Sequence, residues 1–173
     1  MRKPIIAILV LAACVIGAQG QEVTIQDNAP FTYAYLEGNG PYNQIGAKIG
    51  ALMQEISKQQ LQGDGAPFGL YLNSPQEVKS EAELKWRVGI PVSKKVPVAA
   101  PLLKDEFNFT KVARYLYTGP YEKVPESYAK IFQYIGANGY QMAGPIMEQY
   151  WNDPMTVKPE QLMTEIIIPV VKK

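Results

Sequence analysis

The sequence predicts an α+β domain: two strand-helix-strand-strand units in tandem, forming one antiparallel sheet with two main helices packed on it. Three observations carry this. "YTGPYEKVPESYAKI" (117–131) repeats the plan of "YLEGNGPYNQIGAKI" (35–49): an aromatic, then Gly-Pro-Tyr, then apolar residues every three or four positions. Each Gly-Pro is preceded by a β-rich stretch with period-two alternation and followed by a helical apolar stripe. Further along both copies the landmarks recur in the same order, with Tyr71 against Tyr150, Pro75 against Pro154 and Pro91 against Pro169. That is the signature of an internal duplication, with repeats 31–92 and 111–171. One such unit covers a single face of a short sheet and leaves open edges, whereas two side by side make a longer sheet. The seam between them is a pseudo-twofold cleft, the kind of place where small molecules bind.

The first twenty residues stand apart. Arg2 and Lys3 precede an apolar run from Ile5 to Ile16 and a small-residue exit, which reads as a secretory signal too short for a comfortable membrane span. Ala18-Gln19-Gly20 favours a cut ahead of Gln21. "LAAC" offers the alternative of a lipoprotein signal ending before Cys14, and an uncleaved anchor is the third reading. The expected location is extracytoplasmic: periplasmic or secreted, with lipid anchoring under the lipoprotein alternative. Residues 21–173 then form a single domain.

In the first copy "FTYAYLEG" (31–38) is the opening strand, and Ile45, Ile49, Leu52 and Ile56 form the helical stripe. "GDGAP" turns the chain into a strand at "FGLYLNSP", and "AELKWRVGIPV" supplies another. Residues 93–105, with Pro97, Pro101 and a Lys pair, read as a linker or irregular crossover. In the second copy "KVARYLYTG" (111–119) is the strand, and Val124, Tyr128, Ile131, Phe132 and Ile135 make the helical stripe. Pro125 suits a first helical turn and "ANG" (137–139) a helix stop. "GPIMEQYW" and "LMTEIIIPVV" are the last two strands.

Composition excludes several chemistries. There is no histidine, and the one cysteine is Cys14 in the leader. Ser-His-Asp and Cys-His catalysis, His-ligated zinc and an internal disulfide are thereby ruled out, and no metal or cofactor is expected. Without Arg2 and Lys3 the chain carries 17 − 2 = 15 basic against 16 acidic residues, a net charge of −1. No basic stripe forms, so nucleic acid is not an expected partner. Gly38 and Gly40 begin a GxGxxG, but Asn43 takes the third glycine's place, against a nucleotide loop.

"TGPYEKVPESYAKIFQYIGANGYQMAGPIMEQYWNDP", followed by "EQLMTEIIIPV", resembles the GyrI-like superfamily. This is the effector-binding domain found alone or attached to AraC-type and MerR-type regulators. The resemblance extends over nearly all of 31–171. It implies a ligand cleft between the halves, lipophilic and often cationic ligands, and a buried acid among aromatics. It also implies a hydrolase alternative, since some members act on strained-ring cyclopropanoid toxins. The export signal and the lack of a helix-turn-helix module depart from the regulator pattern and count against direct transcriptional control.

Within that frame Glu148 is the leading candidate. It sits mid-strand, sharing a face with Ile146 and Tyr150 by period two. A carboxylate among apolar neighbours is costly unless it meets a partner or a cationic ligand. Spacing alone leans toward a Glu facing solvent; the resemblance leans toward function. The expected ligand-binding set is Glu148, Tyr35, Phe68, Tyr71, Trp86, Tyr150 and Trp151, aromatic faces being suited to cations and flat apolar rings. If the protein is an enzyme, Glu148 would direct water or a proton, with Tyr71 or Tyr150 assisting. Tyr33 is a further aromatic candidate. Tyr128, Phe132 and Tyr134 read as helix packing, and Glu165 as half of a structural ion pair. The functional expectation is binding of a small hydrophobic molecule, with cations among the candidates; a hydrolase and an envelope interaction protein are the alternatives.

Overall fold

The computed structural model describes residues 22–173. The leader, with its competing sites at Cys14 and Gln21, lies outside the described residues. Nine strands and two main helices follow in chain order: β1 (Thr24–Asp27), β2 (Phe31–Asn39), α1 (Ile45–Lys58), β3 (Phe68–Tyr71), β4 (Lys85–Pro91), β5 (Leu103–Phe107), β6 (Lys111–Thr118), α2 (Glu126–Ala137), β7 (Tyr140–Met142), β8 (Ile146–Tyr150) and β9 (Met163–Lys172). The sheet order is β1-β6-β9-β8-β3-β4-β2-β5, with β7 paired to β9. Every pairing is antiparallel. The fold is therefore α+β, as the alternation and stripes indicate.

Each predicted unit contributes three strands in the same order from outside to centre: β2-β4-β3 from one, β6-β9-β8 from the other. They meet at β3 and β8, where Gly69 stands directly across from Glu148 and Leu70 across from Met147. The two Gly-Pro breaks share a device. Gly40 and Gly119 adopt φ of 88° and 147°, values unfavourable for residues with a Cβ, and each leads through a short 3-10 turn into its helix.

Period two sorts the strands between three buried clusters. Ala34, Leu36, Trp86, Val88 and Ile90 face α1, which buries Ile45, Leu52 and Ile56 against them. Ala113, Tyr115, Ile166 and Ile168 face α2, which buries Ile131 and Ile135. The opposite face of the sheet carries its own cluster, including Tyr33, Tyr35, Phe68, Phe107, Met147 and Ile167.

Three strands were not legible. β1 and β7 are short and largely exposed, so they lack apolar alternation. β5 corrects the reading of 93–105 as irregular: its first three residues, Leu103, Lys104 and Asp105, pair with β2. All three are exposed, so hydrophobic patterning does not mark them. Arg87 on β4 reaches across to Asp105, 2.7 Å away, and clamps this edge strand.

Candidate functional site

The central pair β3–β8 forms a floor with α1 and α2 at its two sides, and an open cavity of about 1510 Å³ lies between them. That exceeds the roughly 300–1,000 Å³ usual for small-molecule sites, so it accommodates bulky ligands. Its wall is mostly apolar, with Ile49 and Met53 from α1 and Phe132 from α2. Four lining residues are carboxylates, Glu77, Glu122, Glu148 and Asp153, and no Lys or Arg lines it among the described residues.

Glu148 sits at the floor, 8 % exposed. It faces the helices because Ile166 and Gly69, its cross-strand partners on β9 and β3, lie on that same side of the sheet. Tyr71 donates to its Oε2 at 2.8 Å and Tyr150 donates to the same oxygen at 3.1 Å. Tyr128 of α2 donates to Oε1 at 2.5 Å. The Tyr71 and Tyr150 hydroxyls are themselves 3.2 Å apart. Among the described residues no ion pair reaches this carboxylate. Hydrogen bonds to the ionised form compensate its burial, but they leave the charge unneutralised.

Burial pushes the Tyr71, Tyr128 and Tyr150 hydroxyls well above the ordinary tyrosine range, and the Glu148 charge adds to the effect. All three remain protonated donors at neutral pH. A second ring supports each of two of them edge-on: Tyr42 against Tyr71 at 4.8 Å and Tyr121 against Tyr150 at 5.5 Å. The floor is thus a fixed negative charge held by three neutral phenols, walled by aromatic and aliphatic side chains.

Of the residues expected at the site, Glu148, Tyr71, Tyr150 and Trp151 line the cavity. Trp151 is at the rim, 49 % exposed, with its indole N–H 3.3 Å from Glu165. Tyr35, Phe68 and Trp86, also in the expected ligand set, do not line it. Strand parity explains the first two: Phe68 is one position from Gly69 and three from Tyr71, and Tyr35 lies between the helix-facing Ala34 and Leu36, so both point to the other face and pack together with Tyr33. Trp86 is on the helix side but fills the space left by Gly38, and its indole donates to the Gly40 carbonyl at 2.9 Å. Tyr33 is likewise on the far face, bonded to Arg87. Glu165 pairs with Arg114 at 3.0 Å, a structural ion pair.

Sequence reasoning missed Tyr128, Phe132, Tyr42 and Tyr121. Tyr128 and Phe132 extend the helical stripe, which is wide enough that Ile131 and Ile135 face the sheet while Tyr128 and Phe132 turn into the cavity, Tyr128 also packing on the α2 cluster. Tyr42 and Tyr121 sit in the two repeated Gly-Pro-Tyr turns, and that repetition was the available signal.

A sheet floor, two flanking helices and a charged, aromatic-lined cavity define a small-molecule-binding α+β domain. The model of the GyrI-like small molecule binding domain matches residues 21–171, and the chain belongs to that family. No curated protein matches the sequence. Among solved structures the chain is similar to EcmrR in its DNA complex, with TM-score 0.77, 18 % identity, and 88 % of this chain against 58 % of that one covered. It is equally similar to the isolated EcmrR C-terminal domain, at TM-score 0.77 and 18 % identity, where coverage is 88 % of this chain and 99 % of that one. The chain therefore spans just over half of the EcmrR chain in the DNA complex. It is also similar to SAV2435 bound to tetraphenylphosphonium (TM-score 0.56, 18 % identity, 87 % and 94 % covered). A hydrolase encoded by lin2189 from Listeria innocua aligns at TM-score 0.64 and 14 % identity, with 87 % and 92 % covered. At these identities the likeness is one of fold.

Proposed function

We propose that the domain binds a bulky hydrophobic cation in the cavity between α1 and α2, outside the cytoplasm. The observation that carries this reading is the buried Glu148 carboxylate, held by three tyrosine hydroxyls and paired with no cation among the described residues. A buried charge without a countercharge is costly, and a cationic ligand removes that cost. The acidic lining and, among the described residues, the absence of basic side chains from it point the same way. So does the tetraphenylphosphonium bound by the similar SAV2435. Extracytoplasmic location rests on the leader sequence; on exported protein, intact-mass analysis should find a start at Gln21 or at a lipidated Cys14, whereas an intact Met1 would sink both cleavage sites and favour an uncleaved anchor, and recovery of the protein only from the cytoplasm would overturn the location.

The test of binding is calorimetry with tetraphenylphosphonium beside neutral triphenylphosphine oxide. Clear preference for the cation is expected, and equal affinity would overturn the reading. A second reading, hydrolysis, is favoured by the contact between Glu148 and Tyr71 and by the hydrolase among the similar structures. It requires that Glu148→Gln abolish turnover while leaving substrate binding largely intact.

A further inference from the structure

We propose that the sheet face turned away from the helices, at the end where the chain enters the fold, docks on the surface of a zwitterionic lipid bilayer. The docking patch is Leu116, Trp151, Met155 and Met163, and docking brings the rim of the cavity to the membrane.

Topology makes these four residues neighbours. β6, β9 and β8 lie side by side in the sheet. Leu116 stands across from Glu165, which shares its face with Met163 two positions away. Trp151 follows directly on β8; its backbone N–H bonds to the Met163 carbonyl and its indole N–H to Glu165. That second bond holds the ring on the side away from the helices, and Arg114 neutralises Glu165 beneath it. Met155 lies in the loop joining β8 to β9 at the same end and is 89 % exposed. Leu116, Trp151 and Met163 are exposed as well. Single exposed apolar side chains are ordinary, but adjacent ones on neighbouring strands make a patch, and patches mark interaction sites.

Where the chain enters selects the occupant. Thr24 pairs with Arg114, so two residues further back the antiparallel register brings Glu22 beside Leu116. The leader precedes Glu22. A lipidated Cys14 is 22 − 14 = 8 residues ahead of it, a tether of at most about 29 Å when fully extended. An uncleaved anchor ending at Ile16 is nearer still. Either form keeps a bilayer within reach of this end of the sheet. Tryptophan, with an apolar ring and a polar N–H, is a side chain enriched at membrane interfaces. Among the described residues, the segments here carry Glu22, Glu122, Asp153 and Glu160 against Lys123 and Lys158. An anionic surface is therefore repelled, and the contact is apolar insertion among zwitterionic headgroups. Trp151 and Asn152–Pro154 also line the cavity, so the docked face opens it onto the layer in which hydrophobic molecules dissolve.

The chain has two tryptophans and Trp86 is buried, so a lipid-borne quencher reads Trp151. The experiment reconstitutes the full chain in phosphatidylcholine vesicles with and without brominated acyl chains. Trp151 emission should be blue-shifted and strongly quenched by the brominated lipid. Leu116→Asp combined with Met155→Asp should abolish the quenching while the leader still holds the protein on the vesicle. Leu103→Asp, at an exposed position on the opposite edge strand β5, should leave it unchanged. Met155→Asp alone should weaken it, which keeps the claim testable if the double variant folds poorly, and unchanged Trp86 emission reports an intact fold. Adding phosphatidylglycerol should reduce the quenching; an increase would overturn the zwitterionic assignment. No quenching in the wild type, or equal quenching in the aspartate variants, would overturn the proposal. So would a blue shift that grows with protein density on the vesicle and is insensitive to brominated lipid, the result expected if a second copy covers the patch.

Discussion

Glu148 and its tyrosines show how much at the residue scale depends on protonation. Tyr33 is pushed up to about 12, chiefly by burial, and Tyr71, Tyr128 and Tyr150 are raised as well. A tyrosine whose folded pKa lies above its unfolded value stabilises the fold fully below the unfolded value, near 10, and loses that contribution as pH rises toward the folded one. Denaturant unfolding should therefore show constant tyrosine-linked stability up to about pH 9 and a steep fall between roughly pH 10 and 12. Absorbance at 295 nm should find these four phenols still neutral at pH 11 in the folded protein; ionisation of all 11 tyrosines before unfolding would contradict the burial argument. Glu148 stood out in the sequence through the family resemblance, since spacing alone leaned toward a solvent-facing Glu. Tyr128 was not, because helical periodicity gives a stripe and does not tell sheet-facing from cavity-facing positions at its margin.

Two neighbours on α2 separate packing from recognition at the scale of the element. Ile131 is fully buried against the sheet, whereas Phe132 is 40 % exposed on the cavity wall. Ile131→Ala should cost about 2–5 kcal/mol of stability, the range for emptying a packed core site. Phe132→Ser should change stability by no more than about 0.5 kcal/mol, as for most exposed positions, while weakening a hydrophobic ligand. Thermal melts beside a tetraphenylphosphonium titration check both, and a stability loss at Phe132 as large as at Ile131 would contradict the division. The long elements were readable because their apolar residues keep one period for two turns or more. Parity was readable too: Phe68 and Tyr71 are an odd number of positions apart on one strand and never share a face. By that rule only Tyr71 of the pair reaches the cavity. The strands β1, β5 and β7 were not readable because exposed edges carry no apolar alternation.

At the scale of the whole molecule, the shared strand order of the two halves motivates a stronger proposition. If 31–92 and 111–171 descend from one unit, they should superpose about a twofold between β3 and β8, bringing Tyr71 onto Tyr150 and Tyr42 onto Tyr121. An experimental structure in which those pairs occupy unrelated positions would refute the duplication. In the same sequence alignment Gly69 falls against Glu148, so the frame repeats while the charge does not. A single carboxylate at the centre avoids the like-charge repulsion that two facing acids would create. The account's central claim is that this one charge recognises cations. It is tested most directly by titrating wild type and Glu148→Gln with tetraphenylphosphonium and with triphenylphosphine oxide. The amide keeps the shape and removes the charge, so cation affinity should fall tenfold to a hundredfold, about 1.5–3 kcal/mol, with the neutral ligand nearly unchanged. Equal effects on the two ligands, or none on either, would contradict it.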